Sequence, residues 1–511
     1  MQEPHVGHLL HLLDSAPDSI LLTDVAAGED VTTAQFLRRV RRTATALGEL
    51  GVTPGSRVVI GLPPGRLLVE AAYGCFFYGA IPAFLDPTTD PHALSRCLDE
   101  LEPAAVLTDQ AFDGIPVVTS AQFGQYADAA AESASACASY SANSIVMLMY
   151  TSGTTGVPKG AVWTWENCVS QLDFYAKREA TSEFILFPMS SFNAVALGCR
   201  AILPGFSAFA PRSVDLPNLI LQFDASPAEY MFGSAELWRR YLNHVASGNR
   251  GFKHPPATVA TAGAAIGRGL VAALCSEFRD STVLIPYAAT EGLMPLTQIT
   301  GEDFLKQTAL CPIAQHGIPL GRPCDEVTIA VIDPYKRFDG VPAQADDFLP
   351  NGTVGELCIS GRRVSPAYYR RPEANAYAKF RDDQGNLWHR MGDIGHIQDG
   401  AVWLRCRKKD LTKLPRGDWL YPDQIEQSIN DAIGTQMCAA VLLEDRLAVV
   451  ISSNEPIASR GATAVTDKLR EFAIDAEVFI ANGDLPVDSR HNSKIDRAAV
   501  IKSLTLPTRS S

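Results

Sequence analysis

The sequence has no pair of cysteines at Cys-x-x-Cys spacing; its 11 cysteines are scattered singly from Cys75 to Cys438. That spacing excludes a zinc ribbon and offers no disulfide framework, so reduced thiols and a cytoplasmic setting are expected. No uninterrupted apolar run reaches the roughly 18 residues that a membrane span needs, so none is expected. The opening residues MQEPHVGHLLHLLDSAPDS lack both a basic start and a long apolar stretch, so a secretion signal is not expected either. Positive charge is in deficit, with 44 Lys and Arg against 57 Asp and Glu and a net charge of -13. Nucleic-acid recognition relies on clustered Lys and Arg, so no nucleic-acid partner is expected. The acidic balance reads as solubility. Internal repeats and low-complexity tails are also missing.

What is present is a chain of 511 residues, 46% hydrophobic and 20% charged. That length is too great for one core and implies two or more domains of ordinary globular composition. Thr33 to Leu50 carries apolar residues at helical spacing and stops before Gly51. Arg57 to Leu62 reads as a buried strand, Leu67 to Tyr78 as a helix, and Ile81 to Leu85 as another strand. Such alternation predicts an α/β fold with mixed or parallel sheets flanked by helices. Ala127 to Asn143, rich in Ala and Ser, reads as a surface connection.

Near residue 410 the pattern changes. The stretch around Pro350 to Gly361 is rich in strands and turns, whereas the last hundred or so residues carry a small α+β pattern of their own. Tyr421 to Ile433 is predicted as a helix, opened by Pro422 and Asp423. Val441–Leu443 and Leu447–Ile451 are predicted strands about a turn. The expected division is a large region over residues 1–410 and a small α+β domain over 411–511.

The strongest chemical signal is an apolar strand, Ile145 to Tyr150, followed directly by Thr151-Ser-Gly-Thr-Thr-Gly-Val-Pro-Lys-Gly160. Glycines at 153, 156 and 160 let the backbone approach an anion closely. The hydroxyls of Thr151, Ser152, Thr154 and Thr155, the backbone amides and Lys159 can then surround phosphate oxygens. The pattern is not Gly-x-x-x-x-Gly-Lys-Ser/Thr, so it is not the P-loop of nucleotide triphosphatases.

YTSGTTGVPKG resembles the phosphate-binding loop of the adenylate-forming superfamily, which includes acyl-CoA synthetases, nonribosomal peptide adenylation domains and luciferases. The superfamily's other motifs follow in order along almost the whole chain. The resemblance implies ATP and Mg²⁺, with cofactor contacts from Thr151, Ser152, Gly153, Thr154, Thr155, Gly156 and Lys159. In Tyr287-Ala-Ala-Thr290-Glu291-Gly292 it implies that Tyr287 stacks on adenine, Thr290 touches the α-phosphate and Glu291 helps hold the metal. Met391-Gly392-Asp393 resembles the element whose Asp binds both ribose hydroxyls, a role that carries to Asp393. Arg407-Lys-Lys-Asp410 resembles the hinge phrase, with Arg407 at the ribose and Asp410 as pivot. Lys494, near the C-terminus, matches the lysine that stabilises charge on the α-phosphate and the attacking carboxylate. Lys494, Thr290 and Glu291 are the implied catalytic residues.

A closer resemblance lies in Tyr368-Tyr-Arg-Arg-Pro-Glu-Ala374, Trp388-His-Arg-Met-Gly-Asp393 and Pro486-Val-Asp-Ser-Arg-His-Asn492, which look like olefin β-lactone synthetases. It implies a small-molecule acid substrate bearing a β-hydroxyl and a second step that needs no CoA. The family places its acid-binding wall on segments that correspond here to Ser191, Phe192, Phe232, Gly233, Gly263, Ala264 and Ala265. Trp163-Thr-Trp165 replaces the more usual His-Thr-His, and Arg416-Gly-Asp-Trp-Leu-Tyr421 is an unusual loop facing the second nucleophile. The second step therefore keeps alternatives: an acyl-CoA ligase, attack by an amine, or adenylation of another oxyanion such as nitrite. CoA use and oligomeric state stay open.

Overall fold

The computed structural model describes residues 4–85, 90–111, 117–131, 137–151, 157–206, 211–413, 419–433, 438–443, 446–453, 459–472, 476–482, 485–487 and 495–505. The predicted first helix runs Thr33–Glu49 and starts at a capping box, in which the Thr32 side chain and that of Gln35 satisfy each other's backbone amides. Phe36, Leu37, Val40, Ala44 and Leu47 lie along its buried stripe, at the spacing that places them on one helical face. The next strand, helix and strand are Arg57–Gly61, Arg66–Tyr78 and Ile81–Phe84. One expectation is corrected. The stretch beginning at Ala127 does not open as a connection, because helix Ser120–Ala129 runs into it from a Thr119–Gln122 capping box and buries Phe123 and Ala127. The start signal sits upstream of the Ala- and Ser-rich composition that suggested a loop.

Four sheets are formed among the described residues. The five-stranded sheet runs Ala105–Thr108, Arg57–Gly61, Ile81–Phe84, Ile145–Thr151, Lys159–Thr164, parallel until the last pair. A larger sheet of 14 strands mixes parallel and antiparallel neighbours and carries Tyr230–Ser234, Thr258–Ala262, Thr282–Ala289, Gly292–Thr300, Leu387–Gln398 and Ala401–Arg407. The fold is therefore mixed α/β with helices against the sheets. After Asp410 come a two-stranded ribbon and a three-stranded sheet of Cys438–Leu443, Arg446–Ser453 and Ala476–Asn482. Helix Pro422–Ile433 packs on that small sheet, burying Ile425 and Ile429 with Cys438, Leu447, Val449 and Ile451. The large region holds several apolar cores of its own. No helix among the described residues is long and apolar enough to cross a membrane.

Candidate active site

Strands Ile145–Thr151 and Lys159–Thr164 pair antiparallel with Thr151 opposite Lys159, so the two ends of the predicted phosphate loop lie side by side. Ser152, Gly153, Thr154, Thr155 and Gly156 of that loop lie outside the described residues. A Cβ at Gly160 would come 2.8 Å from the Tyr150 ring, so any larger residue there would push that ring aside. A second hairpin is made by Thr282–Ala289 and Gly292–Thr300. Ala289 pairs with Gly292, leaving Thr290 and Glu291 as the two turn residues.

Residues 363–369 strap the two hairpins together. The amide of Val162 donates to the Ala367 carbonyl at 2.9 Å and that of Tyr369 to Gly160 at 2.8 Å. On the other side the Leu293 amide donates to Arg363 at 3.0 Å and the Ser365 amide to the Glu291 carbonyl at 2.8 Å. Trp163 adds a direct link, its indole Nε1 donating to the Thr290 carbonyl at 2.9 Å. The strap also reaches the carboxylate of Glu291, because the Tyr368 hydroxyl donates to Oε1 at 2.6 Å. Lys159 Nζ lies 4.9 Å from the centre of the same ring, within cation–π range. One buried tyrosine thus joins the loop lysine to the turn carboxylate. Burial and the Glu291 charge push the Tyr368 phenol well above its ordinary value, so it remains a donor.

Lys379 Nζ also lies over that ring, 5.8 Å from its centre. Its ammonium donates to the Ser365 carbonyl. Burial lowers its pKa to about 7, against the pull of Glu291. His389, buried and edge-on to Tyr368 at 6.2 Å, is held well below the usual imidazole range by burial and by Lys379.

Asp393 arrives by register. Strands Leu387–Gln398 and Ala401–Arg407 pair so that Asp393 faces Arg407. Asp393 is only 1% exposed. Its Oδ1 is 2.8 Å from Arg407 Nη1, and its Oδ2 accepts from the Tyr287 hydroxyl at 2.5 Å. Asp393 raises the Arg407 pKa above the ordinary guanidinium value. Burial first, then Asp393, raises that of Tyr287. Predicted adenine, ribose and hinge-side residues therefore meet in one cluster, joined by a hydrogen bond and an ion pair. Among the described residues no group of three or more His, Cys, Asp or Glu is set to hold a metal. A single hard carboxylate such as Glu291 suits Mg²⁺ that takes its remaining ligands from phosphates and water.

The predicted acid-pocket residues fall on three neighbouring segments. Ala264 and Ala265 pack against the same core as Tyr287 and Met391. Gly263 has φ +97°, a conformation that disfavours any side chain, and nothing lies within 4 Å of where its Cβ would be. Phe232 meets Phe187 edge-on at 5.4 Å and packs near Ala262 and Met294. Gly233 lies against Trp238, 2.8 Å from a would-be Cβ. Ser191 is fully buried, its hydroxyl donating to the Pro188 carbonyl. Phe192 is packed among Phe76 and Phe84 in the first core.

At the predicted hinge, Asp410 Oδ2 takes a 2.7 Å bond from Arg497, whose other nitrogen holds Asp423 at 2.6 Å and Glu426 at 2.9 Å. Lys494 and residues 414–418, including Arg416, lie outside the described residues. Sequence reading gave no role to Tyr368, Trp163, Lys379 or Arg497. Tyr368 and Trp163 stood only within quoted phrases.

The AMP-binding enzyme family matches residues 12–369. Among curated proteins, the chain is 29% identical to an olefin beta-lactone synthetase of Stenotrophomonas maltophilia, covering 89% of this chain and 87% of that one. It is 23% identical to a 2-succinylbenzoate–CoA ligase of Bacillus cereus over 78% of each. Among solved structures it resembles O-succinylbenzoate coenzyme A synthetase from Bacillus subtilis in complex with ATP and magnesium ion. There the TM-score is 0.77 and the identity 19%, over 96% of this chain and 98% of that one, a likeness of fold.

Proposed function

The chain belongs to the AMP-binding enzyme family and is an AMP-forming ligase, and from that premise we propose that it adenylates a β-hydroxy acid and closes the adenylate to a β-lactone. The observation that carries the adenylation reading is the Tyr287–Asp393–Arg407 cluster. It sets an aromatic ring beside a buried carboxylate with two acceptor oxygens, as a nucleoside requires. In this reading Tyr287 receives adenine and Asp393 the ribose hydroxyls, which take over the place of the Tyr287 hydroxyl. Thr290 and Glu291 face the phosphates, and Lys159 joins the loop around them. Glu291 would hold Mg²⁺, which supplies charge neutralisation on the phosphates when bound.

The acid's carboxylate oxygen bonds to the α-phosphorus, and the bond to the bridging oxygen breaks to release pyrophosphate. The protein's contribution is position and charge stabilisation, Lys494 being the proposed cation at the reacting centre. In the second step the substrate's own β-hydroxyl oxygen attacks the acyl carbon. Its proton passes to solvent or base, and the acyl–phosphate bond breaks to release AMP. A nucleophile on the same bound molecule has a high effective concentration. Support for this second step is the similarity to the olefin beta-lactone synthetase along most of the chain. Residues 411–511 are the proposed mobile unit, turning about Asp410 between the steps. A CoA ligase is the second reading, favoured by the similarity to 2-succinylbenzoate–CoA ligases.

The deciding experiment supplies β-hydroxydecanoate or decanoate with ATP and Mg²⁺, with and without CoA, and follows AMP and products by mass spectrometry. AMP release that needs the hydroxyl and ignores CoA supports lactone closure. A thioester formed only with CoA replaces it with the ligase.

A further inference from the structure

Helix Pro422–Ile433 has three occupied faces. Ile425 and Ile429 enter the small sheet's core. Asp423 and Glu426 close on Arg497. Gln424, Gln427 and Asp431, spaced three and four apart, share the remaining face and meet the large region. That face is polar yet buried, with Gln424 2% and Gln427 8% exposed. Gln424 Nε2 donates to the Ala314 carbonyl at 2.6 Å, and its Oε1 accepts from Arg405 at 3.1 Å.

Asp431 makes the contact of most consequence. Its Oδ2 accepts from the Arg268 amide at 3.0 Å and its Oδ1 from the Gly269 amide at 2.7 Å. These are the first two amides of helix Arg268–Glu277, whose own N-cap position, Gly267, has no side chain to offer. The cap comes instead from 163 residues away along the chain. The bare glycines make room for it. A Cβ at Gly267 would stand 2.7 Å from Gln427 Oε1 and 2.9 Å from Asp431 Oδ1, and one at Gly269 would stand 3.2 Å from Asp431 Oδ1. The capped helix follows directly on Gly263-Ala-Ala-Ile266, where Ala264 and Ala265 pack with Tyr287. Further on, Arg268 is pinned to the Leu305 carbonyl and Thr308 hydroxyl.

We propose that Asp431 is a positioning residue that acts across the boundary: from the C-terminal unit it orders the start of helix Arg268–Glu277 and, through it, the 263–266 wall of the acid pocket. The proposal rests on the reading that the chain adenylates an acid. A carboxylate is a strong cap for a helix start, since it satisfies free amides and complements the helix dipole. A polar docking face also suits a unit that must come off, because its groups regain water on release.

The test uses the full-length protein, Asp431→Ala, and Asp431→Ala combined with Gly267→Ser. Gly267 has φ −89° and ψ 165°, which serine adopts freely, and serine is a strong N-cap. The double variant therefore restores a cap from within the helix's own chain, with the Gln427 amide turning aside. Amide hydrogen exchange over 263–274 and the kinetics of pyrophosphate release with β-hydroxydecanoate are the readouts. In Asp431→Ala, exchange over this segment and the KM for the acid should each rise about tenfold, the KM for ATP staying put. Both should return toward wild type in the double variant. A loss of thermal stability alone in Asp431→Ala, or a double variant that recovers neither readout, overturns the proposal. If the wild-type protein releases no pyrophosphate with any acid, the adenylation reading falls, while the exchange data still decide whether Asp431 orders this segment.

Discussion

The hydroxyl of Tyr287 and the carboxylate of Asp393 meet at 2.5 Å, and the same carboxylate takes Arg407 on its other oxygen at 2.8 Å. Both oxygens that a ribose would use are thus held by groups of the same site. Tyr287→Phe keeps the ring and frees one oxygen, so its KM for ATP should stay within about threefold of wild type. Asp393→Ala loses two hydrogen bonds to a charged acceptor and should raise that KM about thirtyfold or more. Nucleotide titrations of the two variants check the pair. Equal effects would take Asp393 away from the ribose.

Tyr368 orients Glu291 through its 2.6 Å hydrogen bond. Partners that orient a metal carboxylate matter nearly as much as the carboxylate itself, so if Glu291 takes its proposed metal role, Tyr368→Phe should raise the Mg²⁺ needed for half-maximal activity by about tenfold. Titrating activity against Mg²⁺ at saturating ATP measures it. An unchanged requirement would make Tyr368 a strut of the strap only.

Lys379 gives a pH signature. Its amine is lowered to about 7 in the folded protein by burial, against about 10.4 when unfolded. Between these values the unfolded chain binds more protons than the fold, so stability rises with pH across that window. Lys379→Met lacks the penalty for burying a charge. Its melting temperature should therefore gain most on wild type below pH 7, the gain shrinking toward pH 10. A difference that does not vary with pH would refute the assignment.

Arg497, 13% exposed at its side chain, holds Asp410, Asp423 and Glu426 together. Removing it leaves three carboxylates facing one another, and Arg497→Ala should cost about 3–5 kcal/mol. Burial already raises Asp410 above its ordinary value and Glu426 to about 7. A raised carboxyl binds its proton more tightly in the fold than in the unfolded chain, so the variant's deficit should shrink as pH falls from 7 to 5. Denaturant titrations at several pH values test both parts.

The sequence by itself determined the local pieces. The capping pairs Thr32–Gln35 and Thr119–Gln122, the apolar stripe of Phe36 to Leu47, the strand before the phosphate loop and the Thr290–Glu291 turn are all encoded within a few residues. Such features depend on spacing and backbone preference, which a chain displays without folding. Family motifs, being contiguous, were legible for the same reason. The tertiary structure alone decided which of them touch. Tyr368 reaches Glu291 over 77 residues, Tyr287 reaches Asp393 over 106, Arg497 reaches Asp410 over 87 and Asp431 reaches Arg268 over 163. None of these pairs leaves a periodic trace, since nothing in the spacing of two residues so far apart along the chain says that they touch. What brings them together is sheet register and the docking of helix Pro422–Ile433, which depend on how whole faces pack rather than on any one stretch of chain.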